Sequence, residues 1–139
     1  MAAAIRLRQE HLDAMIAHAL RDAPMECCGM LAGREGLVTT VVPMRNAEES
    51  PYRFRIDGLE QKRAEETLDE RGESILGFYH SHTGSEARPS ATDILMMGPL
   101  FGPPYTHFVI GVADPARPVA RVFHIEDGDH HEREYEVVR

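Results

Sequence analysis

Apolar residues at positions 12, 15, 16, 19 and 20 recur at three- and four-residue steps, which predicts an amphipathic helix over Gln9–Asp22. Pro24 stops it. The pattern then changes to the period of strands. Residues 26–33 are rich in small and apolar side chains and read as a short strand, 33–36 read Gly-Arg-Glu-Gly and make a turn, and 37–42 form a β-branched return strand closed at Pro43. After a polar loop over 46–51, Tyr52, Phe54 and Ile56 alternate with Arg53 and Arg55, the signature of a half-exposed strand.

A second helix runs from an N-cap at Asp57 to about residue 71, ended by Gly72, with only Leu59, Ala64 and Leu68 as an apolar seam. Residues 74–80 form the most apolar strand so far, followed by a loop over 83–89 and a short helix over 90–97. The prolines of segment 98–104 deny it regular structure. Strands follow over 106–113 and 119–125, and a last one over 132–138. Helices interleaved with strands in this order predict an α/β fold, a mixed β-sheet flanked by helices, with residues 1–139 as one domain.

Composition narrows the function classes. The net charge of −8 argues against nucleic acid as a partner. No apolar run is long enough to span a membrane, and the N-terminal residues turn charged before any stretch of signal-peptide length, so a cytoplasmic location is expected. Cys27 and Cys28 are adjacent and the chain has no others, which suits a reducing compartment and, for at least one of them, a buried small hydrophobe. His11 and His18 lie on the first helix with no third donor near them, and read as surface or boundary residues.

The densest chemistry is His80-Ser81-His82, then seven residues, Ser90, two more, and Asp93. Residues i and i+2 of a strand face one side, so His80 and His82 aim at one point while Ser81 turns away. Asp93 lies in the first turn of the next helix, within reach if the 83–89 loop folds back. Two imidazoles and a carboxylate suit Zn²⁺ with one open position, the pattern of a catalytic site. Each half also has an explanation without metal: H-x-H is common, and Ser90 to Asp93 is a capping box. Such a site needs a general base. Glu26, at the mouth of an apolar strand, is a candidate, although on spacing alone an exposed carboxylate following Pro24 and Met25 is the better reading.

Glu26, His80-Ser81-His82, Ser90 and Asp93 together resemble the signature of the JAMM (MPN+) metallopeptidase family, a glutamate followed by H-S-H-x7-S-x2-D. The segments 24–33, 42–47 and 50–54 are similar to those of the compact bacterial branch, including enzymes that free cysteine from a ubiquitin-like sulfur-carrier protein in cysteine biosynthesis. The resemblance implies a deaminase-like JAMM/MPN fold and one Zn²⁺ held by His80, His82 and Asp93. It implies Glu26 as general base and then acid, and Ser90 as donor to the oxyanion. The implied partner is a ubiquitin-like sulfur carrier ending in Gly-Gly, or its cysteine adduct, whose tail threads a groove flanked by Arg53, Arg55 and the 98–104 loop. Two alternatives stand beside it: a lysine isopeptidase for a ubiquitin-like modifier, and a non-catalytic scaffold. Oligomeric state is not read from the sequence.

Overall fold

The computed structural model describes residues 4–139; the reading of the N-terminal start falls partly on the three residues outside them. The chain runs β1 (Ile5–Arg8), α1 (Gln9–Asp22), β2 (Cys28–Arg34), β3 (Leu37–Met44), α2 (Gly58–Glu70), β4 (Ser74–His82), α3 (Ala91–Met97), β5 (Thr106–Gly111), β6 (Val119–Glu126), β7 (Asp129–Arg133) and β8 (Tyr135–Val138). All eight strands join one mixed sheet in the order β7-β6-β5-β4-β2-β3-β1-β8. The α/β fold read from the pattern is therefore the one observed.

The order implies a strong curl. β7 and β8 are joined by Glu134 alone yet occupy opposite ends of the sheet. Eight strands at ~4.8 Å spacing laid flat put those ends more than ~30 Å apart, while one extended residue spans only ~3.4 Å. The sheet must bring its edges round to meet. Tyr135 on β8 accordingly reaches the Ala120 carbonyl of β6 and packs on Phe108 of β5, with ring centroids 5.3 Å apart.

Curling creates an inner and an outer face. Leu12, Met15 and Ala19 of α1 fill the inner face against Leu7, Leu31, Val38, Tyr79, Phe108, Ile110 and Val122. The outer face carries Cys28, Met30, Phe78 and Ile125, covered by Phe54 and Met97. Two buried histidines belong to α1. His11 Nδ1 accepts the Arg8 N–H at its start, and His18 bonds the Tyr79 hydroxyl at 2.8 Å and faces Asp22 at 3.1 Å. Both are structural partners of the helix rather than surface residues.

Several elements depart from expectation. β1 was not anticipated: its four residues Ile-Arg-Leu-Arg are too short for a period to show, and pairing with β3 and β8 makes it a strand. β3 continues through Pro43, because β1 pairs with it only near Leu37 and no neighbour needs the missing N–H. Residues 52–56 are not a strand. Their backbone groups bond to Asn46 and Ala47 instead of a ladder, leaving Tyr52 exposed and Phe54 buried. The single last strand expected over 132–138 is two, on opposite edges. Asp57 does cap α2, accepting from Glu60 N at 3.1 Å, and Gly72 takes the positive φ of +70° that ends it.

A candidate metal centre on the outer face

β4 extends to His82, so both histidines lie within the strand rather than beyond it. Tyr79 and Ser81 face inward, while Phe78, His80 and His82 face outward. Cys28 of β2 pairs with His80, and the Ser81 N–H donates to the Cys27 carbonyl. Continuing this antiparallel register sets Glu26 opposite His82. A carboxylate far upstream in sequence thus joins the histidines through strand pairing.

α3 supplies the rest. Ser90 is its N-cap: its Oγ accepts the Asp93 N–H at 3.1 Å, and its own N–H donates to Asp93 Oδ2 at 2.9 Å. That same Oδ2 lies 2.9 Å from His80 Nε2 and 3.1 Å from His82 Nε2, which are 3.2 Å from each other. The capping box and the convergent cluster are therefore one arrangement. Ser90 Oγ acts as acceptor in the cap, so its O–H remains available to donate.

The residues fit a metal ion. In a tetrahedral shell with bonds of ~2.0–2.1 Å, neighbouring ligand atoms lie ~3.3 Å apart, close to the triangle seen here. Ligand atoms of Glu26, His80, His82 and Asp93 all fall within 4.8 Å of one another, and all four residues are buried. The backbone carbonyl of Glu86 can only accept, so His82 Nδ1, 2.7 Å away, carries a hydrogen and Nε2 is left to offer a lone pair. Glu26 Oε1 and Asp93 Oδ1 are buried with no hydrogen-bond partner among the described residues, a costly arrangement that a cation would relieve. Phe54 lies over the His80 ring at 4.4 Å between centroids and 22° between planes.

Electrostatics agree with this picture. Burial pushes the Glu26 carboxyl up to about 8, opposed by the charge of His82 and reinforced by Asp93. Burial also raises Asp93, but the charge of His80 and hydrogen bonds from both imidazoles and Ser90 N–H outweigh it and hold the carboxyl well below its usual range. For His82, burial lowers the imidazole, and bonds to Asp93 and the Glu86 carbonyl more than compensate. A bound cation would displace the protons that the two imidazoles share with Asp93 and would draw Glu26 back toward its ionised form.

The structure brings Glu26, His80, His82, Ser90 and Asp93 together and leaves Arg53 and Arg55 outside the cluster. Both arginines are exposed on either side of Phe54. Arg55 lines a groove of about 340 Å³ with Phe54, Ile56, Gln61, Met97 and Phe101, which includes part of the 98–104 loop. Cys27 and Cys28 are fully buried and unpaired, and burial pushes both thiols up to about 12, so neither is a thiolate at neutral pH. Among the described residues no helix is long and apolar enough to cross a membrane. Sequence reasoning passed over Phe54 as a contact of the cluster and the Glu86 carbonyl as a partner of His82. Alternation hinted at Phe54, whereas a backbone carbonyl has no signal in side-chain pattern.

The family described as prokaryotic homologs of the JAB domain matches residues 8–125. The chain is 41% identical over 125 residues to the CysO-cysteine peptidase of Mycobacterium tuberculosis, covering 88% of this chain and 83% of that one. It is 42% identical over 79 residues to a probable TtuB-protein conjugate cleaving protease of Thermus thermophilus, covering 56% and 53% respectively. Among solved structures, protein DSY2949 from Desulfitobacterium hafniense superposes with a TM-score of 0.84 at 34% identity, covering 96% of this chain and 92% of that one. A JAB1/MPN domain protein from Archaeoglobus fulgidus shares the fold at a TM-score of 0.66 and 17% identity, covering 99% and 100%.

Proposed function

The chain belongs to the family of prokaryotic homologs of the JAB domain, and from that membership we propose a zinc metallopeptidase that cuts after the C-terminal Gly-Gly of a ubiquitin-like sulfur-carrier protein and releases cysteine. The observation that carries the reading is the convergence of His80, His82 and Asp93 on one point with Glu26 beside them. Likeness to a CysO-cysteine peptidase over most of both chains supports cysteine as the leaving group. Likeness to a conjugate-cleaving protease supports a ubiquitin-like protein as the partner. The reading places the reaction in the cytoplasm, where two free thiols stay reduced.

In this reading His80, His82 and Asp93 would hold the zinc. Zinc, when bound, polarises the scissile carbonyl and lowers the pKa of a water. Glu26 accepts a proton from the water that attacks the carbonyl carbon and passes it to the departing amine as the C–N bond breaks. Its buried position suits the accepting half, because burial raises the proton affinity of the carboxylate, and the departing amine, more basic still, takes the proton from it. Ser90 directs its O–H at the carbonyl oxygen as negative charge develops there. Asp93 is held by the Ser90 N–H, and His82 by the Glu86 carbonyl, so both are oriented before substrate arrives. The carrier's tail lies along the groove beside Phe54 and Arg55, and Arg53, exposed next to Phe54 in the chain, is a second candidate contact.

Mass spectrometry tests the reading directly. The zinc-loaded protein is incubated with a carrier–cysteine adduct and, separately, with a carrier joined to lysine. Loss of cysteine from the first is expected. Cleavage of the lysine conjugate alone would replace the leaving group, and unchanged masses for both beside an active control enzyme would sink the proposal.

A further inference from the structure

Asn46 is polar and buried, at 9% exposure, and every hydrogen-bonding capacity of its amide is used. Its Nδ2 donates to the Glu26 carbonyl at 3.1 Å and the Arg53 carbonyl at 3.0 Å. Its Oδ1 accepts from Glu48 N at 2.9 Å and Arg55 N at 3.1 Å. Two partners can only accept and two can only donate, so the amide has one workable orientation. No other side chain of the described residues is seen to tie Glu26 to residues 53–55.

Register explains why this residue occupies the spot. Cys28 pairs with Met44 on β3 and with His80 on β4. Two residues further along both ladders, Glu26 falls between Asn46 on one side and His82 on the other. The Glu26 N–H is held as well, by the Ser50 carbonyl at 2.9 Å. Both backbone groups of Glu26 therefore end on the 46–55 loop. The same amide fixes the backbone on either side of Phe54, whose ring lies on His80.

We propose that Asn46 is a positioning residue of the active site, setting the Glu26 carboxylate and the Phe54 ring in register with the His80–Asp93 cluster through one amide. It touches neither substrate nor metal and acts through Glu26 and Phe54. The inference rests on the peptidase reading for its kinetic consequence, while its structural consequence stands apart from it. Backbone tethering matters here because Glu26 Oε1 has no partner of its own among the described residues. With the side chain unheld at that oxygen, the backbone carries the placement, and near-attack geometry tolerates little drift.

Asn46→Asp is the informative change. It preserves volume and both acceptor contacts, and it replaces the two N–H donors with an oxygen facing two carbonyl oxygens. Against the carrier–cysteine adduct, kcat per mole of bound zinc is expected to fall about 10- to 100-fold, with zinc content within twofold of wild type. In a double-mutant cycle, Asn46→Asp placed on Glu26→Gln is expected to cost less than twofold more, since the group it positions is already disabled. A merely structural role would give equal losses in both backgrounds, and that result would overturn the proposal. Amide hydrogen exchange on the metal-free protein supplies a readout independent of activity. The Glu26 amide is expected to exchange at least tenfold faster in Asn46→Asp, while the Tyr79 amide of β4 stays as protected as in wild type. Unchanged Glu26 exchange would also overturn it. Should wild type cleave no adduct at all, the peptidase reading fails, and the exchange measurement still decides the role of Asn46.

Discussion

His82 donates its Nδ1–H to the carbonyl of Glu86 at 2.7 Å, and that bond fixes which nitrogen faces Asp93. The loop after β4 therefore orients a candidate ligand that β4 itself only carries. His82→Ala is expected to lower zinc content severely, by about 10-fold or more in affinity. Metal analysis of the purified variant checks this, and undiminished zinc would remove His82 from the ligand set.

Glu26→Gln should separate holding the metal from using it. The variant keeps the volume and loses the proton acceptor, so bound zinc is expected to match wild type. Turnover of the carrier–cysteine adduct should fall by about 10²–10⁴-fold. Wild-type turnover in a zinc-replete Glu26→Gln protein would show that the proton is taken elsewhere.

Ser90 caps α3, and the peptidase reading gives it a second duty as donor to the oxyanion, which a pair of substitutions can part from the first. Ser90→Ala removes the N-cap of α3 and the O–H donor together, with an expected stability loss of about 1 kcal/mol and a kcat loss of about 10²–10³-fold. Ser90→Thr retains a hydroxyl and should restore much of both. A Ser90→Ala variant that loses stability but keeps its rate would confine Ser90 to capping.

Removal of the metal has a thermodynamic signature of its own. Chelation should abolish activity, and zinc added back at about 1,000 times its dissociation constant should stabilise the fold by about 4 kcal/mol. For a chain of this size that corresponds to a rise in melting temperature of roughly 10 °C. Calorimetry of chelated and reloaded protein measures it; identical melting curves would mean that the cluster binds no zinc.

His107 predicts an acid limb. Burial, only partly offset by its bond to the Phe101 carbonyl, pushes the imidazole down to about 4. Between about 4 and the usual 6.5 the unfolded chain binds more protons than the folded one, so stability rises with pH there. The contribution is fully present above 6.5 and is lost as pH falls toward 4, amounting to roughly 3 kcal/mol. His107→Gln can keep a donor to Phe101 without the titration. Its denaturation midpoint should therefore fall less than that of wild type between pH 7 and 4.

The parts of the site visible in sequence are those governed by short periods. The i, i+2 step put His80 and His82 on one face of β4, and the S-x-x-D spacing placed Ser90 and Asp93 at a helix start. Glu26 is different in kind, since its place opposite His82 depends on the pairing of β2 with β4, which no local pattern encodes. Periodicity misread residues 52–56 for a related reason. Alternation reports which side chains are buried, and Phe54 is buried, but it cannot tell whether the backbone finds a ladder or a single amide such as Asn46. Gly29 shows the same limit. A Cβ there would lie 2.3 Å from the Tyr79 ring, a close approach created only once the two strands pair.

The one-residue passage from β7 to β8 bears on solubility. β8 covers the outer flank of β1 along Ile5–Arg8, and Tyr135 seals the seam against Phe108. The final strand behaves as a hasp. Without it, β1 would present a bare row of amides and carbonyls, the kind of margin at which chains stack on one another. The same few residues that let the sheet roll shut thus move its free margin from β1 to β8, where exposed Glu136 discourages another chain from continuing it.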